Sequence, residues 1–290
     1  MKKIIILIPV FNDWESLNKL LNEINNSLER LKTYEFSCVV VNDCSIVKQT
    51  IISRPSNIKT LDIINMKENR GHARCNAFGI RHINKNKKFD YVILMDSDGE
   101  DRPVEIIDLV NKVKNEPEYS VVAVRIKRSE GLIFQSLYQI HKLITYIFTG
   151  KKINFGNYSC LTNKDISTLS SKASLWSSFS GSVKKNLNNL NEISSTRGTR
   201  YFGPSKMSLF NLVIHSLSII AVFKNQVFLR SSFVIILLSF LNSFIGVYSI
   251  FLQILLVIFN LLIFLVSLRE NKKALIESHH NVKDELEVTH

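Results

Sequence analysis

Over its first hundred positions the chain alternates two hydrophobic rhythms. Residues 4–8 are an unbroken apolar run of strand length, and Leu17, Leu20, Leu21, Ile24, Leu28 and Leu31 then fall three and four apart, as on one face of a helix. Asn12 and Glu15 precede that stripe at capping-box spacing, with Asn in place of the usual Ser or Thr, and predict its start. Residues 36–41 and 58–64 read as second and third strands, residues 69–73 lead into a helix carrying Ala77 and Ile80, and residues 91–95 form a central buried strand. This rhythm predicts an α/β fold: a mixed, mainly parallel sheet with helices on both faces.

The pattern changes after residue 206. Residues 207–224 place Phe210, Val213, Leu217, Ile220 and Ala221 on one helical side, which predicts an interfacial amphipathic helix, with a packed amphipathic helix as the rival. From 231 to 268 there is no Asp, Glu, Lys or Arg. Those 38 residues are near twice the roughly 20 needed for one span, so two transmembrane helices with a turn at 246–249 are expected. Lys224 and Arg230 precede the run and Arg269, Lys272 and Lys273 follow it, so the positive-inside rule sets both ends, and the domain before the run, in the cytoplasm. The expected organisation is a soluble domain over 1–206 (halves 1–101 and 102–206), an interfacial helix over 207–230, a transmembrane hairpin over 231–268 and a cytoplasmic tail, loose or helical, over 269–290. The pattern over 131–149, rich in Phe, Leu, Tyr and Ile, fits a helix that packs on the sheet or touches lipid.

The candidate chemistry begins where the central strand ends. Asp96-Ser-Asp98-Gly-Glu100-Asp101 follows it directly, at the carboxyl edge where open α/β sheets bind ligands. Asp96 and Asp98, two apart, can reach one hard cation together; Mg²⁺ or Mn²⁺ fits, since such ions take a few carboxylates plus substrate phosphate oxygens. The plain alternative is an acidic loop that caps the helix after Pro103. Asn12-Asp13 and Asn42-Asp43 add two more polar strand ends to the same rim.

The net charge of +12 points to anionic partners, but the basic residues form no nucleic-acid module, so no nucleic acid is expected. Cys38, Cys44, Cys75 and Cys160 are widely spaced and read as free thiols. The run after Met1-Lys-Lys is too short for a signal sequence and fits a first strand. Neither a Gly-x-Gly-x-x-Gly nor a Gly-Lys-Ser/Thr element occurs, which argues against dinucleotide oxidoreductases and P-loop NTPases.

Four ordered stretches together carry a family resemblance: Ile8-Pro-Val-Phe-Asn-Asp13, Val41-Asn-Asp-Cys-Ser45, Asn69-Arg-Gly-His-Ala73 and Asp96-Ser-Asp-Gly-Glu-Asp101. They resemble the successive motifs of family 2 glycosyltransferases of the GT-A, Rossmann-like fold. The resemblance implies that Pro9 and Asp13 lie beside the nucleotide of a sugar donor, that Asp43 reads its base or ribose, and that Asp96 and Asp98 hold its diphosphate through the metal. Arg70 and the helix start after it form an anion-facing rim, and His72 either touches a phosphate or is only a polar helix-start residue. Asn42 departs from the family's usual Asp and reads equally as a turn residue.

An arginine-bearing segment, Arg125-Ile-Lys-Arg128, also has a family counterpart, with Arg128 on the donor. Phe155 and Tyr158, in a segment resembling the family's aromatic-glycine element near the acceptor, fit core or contact equally. Arg197-Gly-Thr-Arg200-Tyr-Phe-Gly-Pro-Ser205-Lys206 resembles the Arg-x-x-x-Gly-x-Ser-Lys element of polyprenyl-phosphate sugar transferases. That implies Arg197 and Ser205 on the donor, with Arg200 and Lys206 stabilising the departing diphosphate. An exposed basic linker is the other reading.

The Gln-x-x-Arg-Trp element of processive synthases is absent, which favours transfer of one sugar over polymerisation. The resemblance thus implies an inverting transfer from a nucleotide-diphosphate sugar to a polyprenyl phosphate in the membrane, in cell-envelope glycan synthesis. A glycan hydroxyl acceptor, a non-catalytic nucleotide-binding protein and a membrane-anchored lipid-binding module are the alternatives. Glu100 and Asp101 are the candidate bases if the acceptor is a hydroxyl. A homo-oligomer is compatible with this reading.

Overall fold

The computed structural model describes residues 1–127, 132–204 and 208–289. Strands β1 (Lys2–Val10), β2 (Tyr34–Asn42), β3 (Leu61–Met66) and β4 (Tyr91–Leu94) form a parallel core in which β1 lies between β2 and β4, with β3 beyond β2. Next to β4 come β6 (Phe155–Thr162), antiparallel to it, then β5 (Val121–Lys127) and β7 (Asn191–Thr196). β8 (Val282–Glu287) closes the opposite edge antiparallel to β3.

Strand residues alternate between two buried layers, as the pleat requires. Ile4, Ile6, Ile8, Val40, Ile63 and Ile93 meet α1 (Trp14–Leu28) and α3 (Ile106–Asn115) on one face. Ile5, Leu7, Val39, Val41, Val92 and Leu94 meet α2 (His72–Asn86), α5 (Asn163–Leu169) and α6 (Phe179–Asn186) on the other. The sheet with two helical faces is therefore as the pattern predicts.

Local details differ. The third strand starts at Leu61 rather than 58. Asn12 does not cap α1: the residue before the helix is Asp13, which makes no side-chain cap bond, and the Asn12 carbonyl oxygen instead accepts from the Ile46 and Val47 backbone N–H groups at 2.8 and 3.1 Å. Capping-box spacing lost here to a tertiary use of the same polar group. Phe155 and Tyr158 are both buried, and the Tyr158 hydroxyl donates to the Arg102 carbonyl at 2.8 Å, so both belong to the core.

A third layer is all helical. α4 (Leu132–Thr149), α7 (Leu209–Ala221), α8 (Lys224–Phe240) and α10 (Val247–Ser267) meet around Ile144, Phe148, Ile220, Val227 and Ile263, and a short α9 (Asn242–Ile245) joins α8 to α10. Gly246 makes the turn between α9 and α10, inside the predicted 246–249 window. α8 and α10 are joined by hydrogen bonds from Ser231 to Asn260 and from Ser249 to the Leu238 carbonyl. Arg230 of α8 donates to the Ile147 carbonyl at the end of α4, a cation at a helix C-terminus.

Ile140, Leu143, Tyr146, Phe210, Val213, Phe233, Phe240, Phe251 and Leu255 leave a broad apolar surface exposed across these helices. Among the described residues only the helix beginning at Val247 is by itself long and apolar enough to cross a bilayer; α7 and α8 together reach that length but bend by 86° at their junction. The 21 residues of α10 rise by about 31 Å, which matches the hydrocarbon thickness. The expected tail is not loose: α11 (Lys272–Ile276) packs Leu275 under the sheet, and residues 282–287 pair as β8.

Candidate functional site

β4 ends at Leu94, and the backbone then turns through Asp96-Ser-Asp98-Gly99 at the carboxyl edge of the sheet. Gly99 has φ +87°, and a Cβ there would lie 2.4 Å from the Tyr201 ring, so both conformation and space require glycine. Gly198 is held as tightly, because its Cβ would meet the Gly99 carbonyl at 2.5 Å. The two segments are stitched together: the Gly198 N–H donates to the Glu100 carbonyl and the Tyr201 N–H to the Asp98 carbonyl, both at 2.9 Å. Tyr201 is anchored through its hydroxyl on Glu23 at 2.5 Å. Buried Glu105 holds the preceding strand end, accepting from the Ser195 hydroxyl and the Thr196 N–H.

This packing lays two guanidiniums across the acids. Arg200 spans two strand ends, donating through Nη1 to Asp98 at 2.7 Å and through Nη2 to Asp13. Arg197 pairs with Glu100. Behind them, Asp101 accepts from the Asp96 N–H at 3.0 Å and from Arg125 at 3.3 Å. Asp96 meets the His72 Nε2 at 2.9 Å and the Asn157 amide at 3.3 Å.

The carboxylates are crowded, and their proton affinities diverge. Burial by itself would raise Asp96, but His72, Arg125 and Asn157 outweigh it and hold its carboxyl well below the usual range. Burial, then Asp96 and Glu100, push Asp98 up to about 6; burial and Asp96 push Asp101 to about 7 against the pull of Arg125. Burial disfavours the charged His72 ring, yet Asp96, with Asp101 and Asp98 behind it, raises its pKa.

Among the described residues no three His, Cys, Asp or Glu side chains already form a metal cage. The residues nonetheless fit a divalent ion of the kind that takes one or two carboxylates and completes its shell with phosphate and water. Beyond burial, the neighbouring carboxylates that help raise Asp98 and Asp101 leave negative charge that such an ion would offset, and Asp96 and Asp98 supply hard oxygen donors.

The structure brings Asp13, Asp96, Asp98, Glu100, Asp101, Arg197 and Arg200 together, and it leaves three other candidates apart. Pro9 is buried in β1 opposite Val41. Asp43 spends its two oxygens on the Arg70 and Gly71 N–H groups, at 2.9 and 2.8 Å, and so staples β2 to the start of α2. The Arg70 guanidinium turns to Glu68 at 2.5 Å. Arg128, Ser205 and Lys206 lie outside the described residues. Sequence reasoning left Arg125, Asn157 and the His72–Asp96 pair out of the site. Arg125 follows the apolar run at 121–124 within β5, much as Asp96 follows the run at 91–95, and that position was the available signal.

Residues 5–176 match the family model described as Glycosyl transferase family 2. That is more than half of the chain, and the protein belongs to this family. A curated relative, the undecaprenyl-phosphate 4-deoxy-4-formamido-L-arabinose transferase of Yersinia pestis (strain Pestoides F), is 28% identical over 165 residues, covering 56% of this chain and 48% of the relative. The chain thus spans about half the length of the curated relatives it matches.

Among solved structures, mannosyl-3-phosphoglycerate synthase from Rubrobacter xylanophilus superposes with a TM-score of 0.56 at 11% identity, over 80% of this chain and 75% of that one. Glucosyl-3-phosphoglycerate synthase from Mycobacterium tuberculosis, in complex with Mn²⁺, UDP-glucose and phosphoglyceric acid, gives 0.53 at 13% identity over 78% and 80%. These likenesses establish the GT-A fold.

Proposed function

We propose that this protein transfers a single sugar, with inversion, from a nucleotide-diphosphate sugar to a polyprenyl phosphate, from a catalytic domain held at the cytoplasmic membrane face by its apolar helices. The observation that carries the reading is the engagement of every acid at the rim. Asp13 and Asp98 are bound by Arg200, Glu100 by Arg197, Asp96 by His72 and Asn157, and Asp101 by Arg125 and a backbone N–H. A hydroxyl acceptor needs a base to take its proton, whereas a phosphate arrives as an anionic nucleophile and needs none. The names of the curated relatives, which act with undecaprenyl phosphate, support the same acceptor class.

In this reading His72 and Asn157 keep Asp96 ionised and oriented, and Asp96 and Asp98 hold a Mg²⁺ or Mn²⁺ ion. When bound, that ion offsets the charge of the donor diphosphate as it leaves. Arg200 and Arg197, already fixed at the rim, supply further positive charge to the departing group. The acceptor phosphate attacks the anomeric carbon from the face opposite the diphosphate, so one C–O bond forms as the other breaks and the nucleoside diphosphate departs.

The loop bearing both arginines runs into α7, which supports a site open at headgroup depth. β8 rejoins the sheet after α10, which supports an even number of crossings with both flanks on the cytoplasmic side. The test gives purified protein a panel of labelled nucleotide sugars with polyprenyl phosphate or with soluble glycans. Label is expected in the organic phase and only with Mg²⁺ or Mn²⁺ present; label on soluble glycans alone would reject the lipid acceptor.

A further inference from the structure

A cavity of about 600 Å³ opens at the carboxyl ends of β1, β2 and β3. Trp14, Asn42 and Asn65 line it with Lys48, Lys67 and Lys283, and no carboxylate does among the described residues. Lys283 belongs to β8, the strand that returns to the sheet after the apolar helices, and it is exposed. Its neighbour Asp284 stands opposite Asn65 in the β3–β8 ladder and accepts from the Asn65 amide at 2.6 Å.

That carboxylate sets the polarity of a chain of amides. An ionised carboxylate only accepts, so the Asn65 NH₂ must face Asp284 and its oxygen must face Asn42. The Asn42 NH₂ then donates to Asn65 at 2.8 Å, and its oxygen takes the Ser45 N–H at 3.0 Å. Each amide oxygen already accepts one bond within this chain, while each NH₂ has one hydrogen that the chain does not use. Together with three lysines, the wall offers donors in excess.

We propose that β8 is part of the donor site: Lys283 and the Asp284–Asn65–Asn42 chain form the nucleoside pocket and select a base whose edge presents carbonyl oxygens, such as uracil, over one that presents an amino group there, such as cytosine. Asp284 is a positioning residue, acting through two amides. This rests on the nucleotide-sugar reading above. It adds that a segment beyond the apolar helices, outside the 5–176 family match, determines which donor is accepted.

The experiment is calorimetric titration of the whole protein in detergent with UDP and CDP, with Mn²⁺ present. Wild type is expected to prefer UDP, and Asp284→Ala to lose about tenfold of that preference. Asp284→Asn, which keeps an acceptor oxygen, is expected to retain it. Lys283→Ala should weaken both nucleotides by a similar small factor. An equal loss for UDP and CDP in Asp284→Ala would reduce Asp284 to a structural role and overturn the proposal, as would an unchanged preference. A wild-type protein that binds UDP tightly without discriminating CDP overturns this inference alone. One that binds no nucleoside diphosphate overturns the nucleotide reading with it.

Discussion

β2 and β4 flank β1 on opposite sides, and each delivers aspartate to the same rim of the sheet. At the β2 end each oxygen of the Asp43 carboxylate accepts from a backbone N–H group, which ties β2 to the start of α2. The β4 end gathers Asp96, Asp98 and Asp101, and besides two backbone N–H groups and the Asn157 amide it sets the side chains of His72, Arg125 and Arg200 against them. A carboxylate met by fixed backbone dipoles is a structural staple. Carboxylates met by charged side chains have partners that a change of rotamer can release to a substrate or an ion. The difference lies in which partner the fold supplies, since an apolar strand followed by Asp precedes both.

That contrast is broken or sharpened first at Asp98. Asp98→Ala is expected to lower turnover by about a thousandfold or more, while leaving the unfolding midpoint unchanged or higher, because a carboxylate disfavoured by burial and by Asp96 is removed. Turnover and thermal unfolding measured on one preparation decide it; retained activity with retained Mn²⁺ dependence would abolish the distinction between the two strand ends. Arg200→Ala is expected to cost about a hundredfold in turnover, the scale of one lost electrostatic donor. A steady-state assay across the donor panel reads that loss, and an unchanged rate would leave Arg200 a mere tether of Asp13 to Asp98.

At the other strand end the sign reverses. Asn at position 43 has one acceptor oxygen where Asp has two, so Asp43→Asn is expected to cost stability by about 1–3 kcal/mol in denaturant titration. A variant as stable as wild type would show that the staple holds nothing.

The smallest effect is in pH. The folded pKa values of Asp98 and Asp101 are raised, to about 6 and about 7, so their stabilising proton uptake is complete below the unfolded value near 4 and is lost as pH rises through 6 and 7. Protein in chelator should therefore lose stability from these groups as pH rises from 4.5 to 7.5. His72, also raised, adds loss at the upper end of that window, whereas Asp96, lowered, acts only below it. Chemical unfolding across this range is expected to flatten in the double variant Asp98→Asn/Asp101→Asn. A slope that survives in that variant would assign it elsewhere.

The parallel core was legible because its strands are short apolar runs bounded by polar residues, and residues 4–8, 36–41 and 91–95 could be little else. The acid cluster was legible for the same reason: it marks where the 91–95 run stops. The partners that distinguish Asp43 from Asp98 were hidden, because they come from Gly71 in one case and from Arg200, about a hundred residues away, in the other. Asn12 misled because a short polar side chain serves a helix start and a neighbouring loop equally well, and only the fold says which is near. β8 gave no sign at all. Val282-Lys-Asp-Glu-Leu-Glu287 is charged and mostly exposed, as an edge strand is, and nothing in it distinguishes that fate from a solvated tail.

β8 also bears on how the protein is made. The outer edge of β3 stays open throughout translation of the other strands and of α4, α7, α8 and α10, and the segment that covers it leaves the ribosome only afterwards. Until then the nascent chain carries an unpaired parallel edge, the kind of surface that recruits neighbouring strands.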